Sequence, residues 1–115
     1  MKNFLMSFVY AFRGIVVSIK EEKNIKIHLL AVVVVIVMGF IYKISEIEWL
    51  ICIILFGLVI SSELINTAIE NAVDLVTTEE NKLAKIAKDA SAGAVLVNSI
   101  ISVIIAGIIW IPKII

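Results

Sequence analysis

Three apolar stretches, about Ile27 to Ile44, about Ile47 to Asn71 and about Ala90 to Ile111, take up more than half of this 115-residue chain. Each is close to the roughly 20 residues that a helix needs to cross the hydrocarbon core of a bilayer. With 62% hydrophobic residues and a mean hydropathy of +1.13, the chain cannot close a water-soluble fold. The spacing predicts an all-α integral membrane protein with three transmembrane helices. Strict alternation of apolar and polar residues, the mark of a membrane β-barrel, is missing. At this length, residues 1–115 are expected to make one membrane domain.

Lysine and arginine positions set an expected orientation. Lys2, Arg13, Lys20, Lys23 and Lys26 precede the first apolar stretch, and Lys82, Lys85 and Lys88 lie between the second and third; only Lys43 and Lys113 are left for the other side. By the positive-inside rule the amino terminus and the loop at 72–89 face the cytoplasm, and the 43–48 turn and the carboxyl terminus face outward. The formal charge of zero hides this asymmetry, and no basic block of the kind that binds nucleic acid is present.

The segment before the first span has a different character. Phe4, Phe8, Phe12, Ile15 and Ile19 recur every three or four residues, while Lys2, Asn3, Arg13 and Lys20 fall off that stripe. This pattern predicts an amphipathic helix over about 3–22, lying in the membrane surface. Arg13 and Lys20 interrupt it too much for spanning. No short apolar core followed by a small-residue cleavage site is found, so the segment is expected to stay in the mature protein.

The second span carries the polar groups that point to function. Glu63, Asn66, Glu70 and Asp74 fall within a sector of about 80° on an α-helix, so three carboxylates and an amide share one face. An ionised side chain in hydrocarbon costs several kcal/mol at least, so such a stripe belongs against a bundle interior, a pathway or a bound cation. Counted from Trp49, Glu63 lies about 21 Å and Glu70 about 31 Å along the helix. Against a core of about 30 Å, Glu70 reaches the headgroups and Glu63 sits one to two turns deeper. That depth suits a reaction between a lipid hydroxyl and a soluble phosphate donor. Carboxylates in apolar surroundings accept protons more readily than those in water, which is the property a general base toward an alcohol needs at Glu63. Glu22 and Glu70 are hard oxygen ligands of the kind Mg²⁺ accepts with a nucleoside triphosphate. Lys88 offers a point charge for phosphate oxygens, and Asp89 beside it can meet a ribose or a metal-bound water.

The segment from Glu63 to Asp74 (ELINTAIENAVD), followed by Ala84 to Leu96 (AKIAKDASAGAVL), resembles the signature of the small prokaryotic diacylglycerol kinase and undecaprenol kinase family. Tyr10 to Gly14 (YAFRG) and Glu21 to His28 (EEKNIKIH) extend the resemblance to nearly the whole chain, and these two look more like the undecaprenol kinase branch. The resemblance implies an ATP- and Mg²⁺-dependent lipid kinase of the bacterial plasma membrane, multi-pass, with its active site cytoplasmic. It implies a homotrimer of three-span subunits, each with a surface helix, whose sites draw residues from neighbouring protomers. Position by position, it makes Glu63 the catalytic base and Glu22 and Glu70 the metal-binding acids, these two also meeting the nucleotide. Tyr10, Glu79, Glu80, Asn81, Lys88 and Asp89 match nucleotide contacts. Asn66 matches a polar residue that arranges the site, and Trp49 a position lining the lipid. Two residues depart from the pattern: Asn3 stands where Arg is frequent and Asn81 where His is usual. The expected substrate is undecaprenol, with diacylglycerol as the alternative; a different class, an ion or proton pathway subunit, would use the stripe as a relay.

The remaining polar residues read more plainly. Cys52, the single cysteine, is expected to be a small apolar packing residue. His28 is expected to be an interfacial side chain at the headgroup level, because no nucleophile lies beside it in sequence. Asn98 and Ser99 are expected to hydrogen-bond between helices. There is no Walker motif, glycine-rich strand-to-helix loop or protein-kinase signature, so a nucleotide site here is of another kind.

Overall fold

The computed structural model describes residues 2–115, and the regular structure among them is all α-helix. Four helices follow in order, α1 (Lys2–Glu21), α2 (Lys23–Ile41), α3 (Glu46–Val76) and α4 (Lys82–Ile114). All four are long and apolar enough to cross a membrane by length and composition. The molecule is only 21 Å across in its shortest dimension. So thin a layer cannot bury its own apolar side chains, and Leu30, Val33, Phe40, Ile53, Ile54, Val103 and Ile108 are exposed along the helices. In a bilayer those faces meet lipid or other helices, where nothing is lost by leaving them uncovered.

The helices run beyond the apolar stretches at both ends of the loop expected at 72–89. Of that segment only residues 77–81 are non-helical. Hydrophobicity marks where a helix enters and leaves lipid, whereas Lys, Leu and Ala at 82–87 are good helix formers that continue α4 past the membrane. At about 1.5 Å per residue, the 31 residues of α3 and the 33 of α4 are each about 15 Å or more longer than a hydrocarbon core of about 30 Å. The helical hairpin therefore stands clear of the core at its loop end. Thr77 ends α3 in extended conformation and its hydroxyl accepts from Glu79 N at 3.1 Å. Asn81 then caps α4, its Oδ1 accepting from Leu83 N at 2.9 Å and Ala84 N at 3.2 Å.

At the opposite end the α2–α3 turn is equally determined. Lys43 adopts a left-handed conformation with φ of 50°, and Ile44 N donates to Gly39 O at 3.1 Å, as in a Schellman stop. Ser45 and Glu48 form a capping box, with Ser45 N to Glu48 Oε1 at 2.9 Å and Glu48 N to Ser45 Oγ at 3.2 Å. Near this end lies the buried apolar cluster of Ile44, Cys52, Ile109 and Trp110, flanked by Met38, Trp49 and Phe56. Lys113 closes it by donating to Glu48 Oε2 at 3.0 Å. Cys52 is a packing residue here, as expected.

α3 and α4 form the principal pair, α2 packs on α3, and α1 touches α2 and α3. Among the described residues α2 and α4 do not approach each other closely along their backbones. The space between them remains open as an apolar groove. Only Glu22 separates α1 from α2, and α1 has no buried residue; Phe4 and Phe8 stack edge-on at 5.2 Å on its open face.

Candidate active site

The polar stripe of α3 is graded in burial along the helix. Glu63 is 3% and Asn66 6% exposed, Glu70 is half-buried and Asp74 exposed. A face that changes from dry to wet over three turns connects the apolar interior to the loop end of the hairpin. Asn66 is the hinge of this arrangement. Its Nδ2 donates to Glu70 Oε1 at 3.0 Å, and its Oδ1 accepts from Ser91 Oγ at 2.7 Å. Ser91, itself buried, also lies 2.9 Å from Lys88 O, so one hydroxyl fastens α3 to α4 beside the carboxylates.

Lys88 extends the network outward. Its ammonium donates to Asp74 Oδ1 at 2.5 Å, with both side chains 40–49% exposed. An exposed pair of this kind is worth about 1 kcal/mol or less, so Lys88 can exchange Asp74 for another anion at small cost. The next pair, Lys85 Nζ to Asp89 Oδ2 at 2.6 Å, is fully at the surface. The hydrogen bond to Asp89, and then its charge, push the Lys85 ammonium above its ordinary pKa; Lys85 is therefore cationic throughout the neutral range.

Around these residues the loop end opens into a cleft of about 670 Å³ lined by Val73, residues 77–82, Ala84, Lys85, Lys88 and Asp89. Glu79, Glu80, Asn81, Lys88 and Asp89, singled out from the sequence, thus share one cleft. Asn81 has its carboxamide oxygen committed to the α4 cap, which leaves only its amide nitrogen for a ligand. Helix α4 starts at Lys82, so Lys88 and Asp89 lie about two turns into it.

Other expected site residues are placed apart. Glu22 is the half-buried joint between α1 and α2, in extended conformation with φ of −101° and ψ of 122°. Glu70 lies about two turns beyond Glu63 on α3, and its Oε1 accepts from Asn66. Among the described residues no group of three or more His, Cys, Asp or Glu side chains is set to hold a metal unaided. Two carboxylates fit Mg²⁺, which keeps waters and takes its remaining oxygens from phosphates. Tyr10 lies off the cleft, in a separate depression between α1 and α3, 5.7 Å beneath the Arg13 guanidinium. Trp49 is near the far end of α3, with its ring 5.0 Å from Phe40 and about 21 Å of helix between it and Glu63. Within one chain it belongs to the outer apolar cluster.

Two participants were not apparent in the sequence as site residues. His28, expected at the interface, has its Nε2 3.9 Å from Glu63 Oε1, with 22% of its side chain exposed against 4% for Glu63. Ser91 holds Asn66 from α4. Neither is within 24 residues of its partner, so no local spacing could have joined them. His28 also begins the apolar groove, about 220 Å³, which continues past Val32, Val35, Val59 and Phe56 to Ile109 and Trp110. Asn98, as expected, bonds between helices, donating to Leu58 O at 3.2 Å, whereas Ser99 Oγ is buried without a partner among the described residues.

The prokaryotic diacylglycerol kinase family matches residues 9–110. An undecaprenol kinase from Bacillus subtilis strain 168 is 47% identical over 113 residues, covering 98% of this chain and 92% of that protein. A diacylglycerol kinase from Synechocystis is 38% identical over 111 residues, covering 96% of this chain and 63% of that protein. A third, from Haemophilus influenzae, is 29% identical over 108 residues, covering 94% and 88%. These matches make the chain a lipid kinase by class. It belongs to the prokaryotic diacylglycerol kinase family.

Proposed function

We propose that the chain is an ATP- and Mg²⁺-dependent kinase that phosphorylates the hydroxyl of undecaprenol at the cytoplasmic surface of the bacterial plasma membrane. The observation that carries this reading is the position of Glu63, buried on α3 between Val59, which lines the apolar groove, and Val73, where the polar cleft begins. A lipid alcohol needs the groove, a nucleotide needs the cleft, and the carboxylate lies on the helix that joins them. The undecaprenol kinase relative at 47% identity supports the polyprenol over diacylglycerol.

In this reading Glu63 takes the proton of the hydroxyl as its oxygen attacks the γ-phosphorus, the step for which a positioned base supplies about 10²–10⁴-fold. Asn66 keeps Glu70 aligned while Ser91 keeps Asn66 aligned. Glu22 and Glu70 would hold the Mg²⁺ that neutralises the triphosphate. Lys88 leaves Asp74 to meet phosphate oxygens, and Asp89, Glu79, Glu80 and Asn81 contact the nucleotide. Residues 1–115 act as one domain, with α1 as a surface helix and α2, α3 and α4 as the three spans, amino terminus inside. Eight of ten cations on one side support that orientation. Tyr10 and Trp49, remote from Glu63 within one chain, fit a homotrimer in which a neighbouring protomer brings them to the site.

The test is transfer of labelled γ-phosphate from ATP to undecaprenol and to diacylglycerol, offered separately to the purified protein. Label in undecaprenol well above diacylglycerol is expected. The reverse preference would assign the chain to diacylglycerol, and label in neither would overturn the reading.

A further inference from the structure

The separation of His28 Nε2 from Glu63 Oε1, 3.9 Å, is too long for a hydrogen bond and short enough for one oxygen to bridge. It is the spacing left when one oxygen bonds to both, because an atom about 2.8 Å from each completes the triangle. The two side chains differ in access. Glu63 is almost wholly covered, while His28 lines the apolar groove at its end nearest the polar cleft. A group that travels along the groove toward Glu63 meets the imidazole first.

The groove itself states what kind of molecule carries that group. Beyond His28 it is walled by Val32, Val35, Phe56, Val59 and Ala106, and it reaches Trp110 at the other end of the hairpin. Apart from the Ser99 and Ser102 hydroxyls on α4 the wall is apolar, so it accepts hydrocarbon, with the titratable imidazole of His28 at one end to meet a polar atom. It runs between α2 and α4, floored by α3.

We propose that His28 and Glu63 form a two-point clamp for the hydroxyl of a lipid alcohol whose hydrocarbon lies in the α2–α4 groove. His28 Nε2–H donates to the hydroxyl oxygen, and the hydroxyl donates to Glu63 Oε1. This rests on the kinase reading and deepens it by naming the group that holds the acceptor. During transfer the O–H bond gives its proton to Glu63, the oxygen forms its bond to the γ-phosphorus, the bond from that phosphorus to the β,γ-bridging oxygen breaks, and ADP leaves. His28 keeps its proton throughout and fixes the oxygen lone pair toward phosphorus. It touches the reacting oxygen and so counts as a catalytic residue of the acceptor side alone.

The experiment uses the full chain in detergent, with undecaprenol as acceptor, and compares wild type, His28→Leu, His28→Gln and His28→Asn. Leucine keeps the bulk and removes the donor; glutamine returns an N–H near the Nε2 position, which asparagine is too short to reach. The kinetic constants for lipid and for ATP, and the melting temperature, are measured for each. Loss of one substrate hydrogen bond is expected to lower kcat/KM for the lipid about tenfold in His28→Leu, with KM for ATP within about twofold and His28→Gln recovering most of the loss. If His28→Leu does not fold, the contrast of glutamine with asparagine carries the same decision. Wild-type values for lipid in both His28→Leu and His28→Asn would overturn the clamp, as would parallel losses for lipid and ATP with no recovery by glutamine. Wild-type protein that labels no lipid alcohol would overturn the kinase reading, and the clamp with it.

Discussion

Replacing Ser91 by alanine removes one oxygen and should disturb the site far more than its size suggests. Ser91 is 7% exposed, and its hydroxyl is 2.7 Å from Asn66 Oδ1 and 2.9 Å from Lys88 O. Lys88 O keeps its helical partner when the hydroxyl goes, whereas Asn66 Oδ1 is left buried and unpaired. Hydrogen bonds between membrane helices average about 0.6 kcal/mol and reach about 1.7, and an abandoned buried acceptor costs about 1–3 kcal/mol. A stability loss of about 1–2 kcal/mol is therefore expected. The larger effect is on geometry: an unanchored Asn66 amide can turn, and the bond it donates to Glu70, 3.0 Å long, turns with it. Misalignment worth about 1.4 kcal/mol in the transition state lowers kcat about tenfold. The assay is label transfer from ATP at saturating lipid, beside a melting curve in the same detergent, for wild type, Ser91→Ala and Ser91→Thr. Threonine keeps the hydroxyl and should retain most of the turnover. Wild-type turnover in Ser91→Ala would refute the reasoning that Asn66 and Glu70 are positioned from α4.

Other perturbations separate the remaining roles. Glu22→Gln and Glu70→Gln should lose activity that rises again with added Mg²⁺, measured as turnover against metal concentration; a loss insensitive to metal would assign them to structure. Lys88→Met should raise KM for ATP, while Asp74→Asn, which only releases an exposed ion pair, should cost less than about 1 kcal/mol in stability and leave KM near wild type. Equal effects from both would mean that Lys88 serves Asp74 and not phosphate. Gly39→Ala would place a methyl 2.5 Å from the Trp49 ring, and the overpacking should cost about 1–3 kcal/mol on melting without changing KM for ATP, since the clash is at the end of the bundle away from the cleft.

The sequence revealed the parts of this molecule that repeat at short range. Apolar runs near 20 residues marked α2, α3 and α4, and the three- and four-residue spacing from Glu63 to Asp74 placed four polar groups on one face of α3. The order of motifs revealed the family. What stayed hidden depends on separations no window covers: His28 meets Glu63 across 35 positions, Ser91 meets Asn66 across 25, and Asp74 pairs with Lys88 across 14. Residues 72–76 and 82–89 are helical and not loop because polarity there reports departure from lipid, which a helix formed by Ala, Leu and Lys survives. Trp49 shows the converse limit. The resemblance attached it to the lipid, but its own chain packs it against Gly39 and Phe40, and only an arrangement of several chains would bring it near Glu63.

The central claim is that Glu63 accepts the proton of the lipid hydroxyl, and the Glu63→Gln variant tests it most directly. Glutamine keeps the length and shape of the side chain and removes the basic oxygen. Phosphate transfer from ATP to undecaprenol by this variant, measured beside wild type with melting temperature and ATP affinity matched, should fall by about 10²-fold or more. Turnover near the wild-type rate in a folded Glu63→Gln protein would contradict the account.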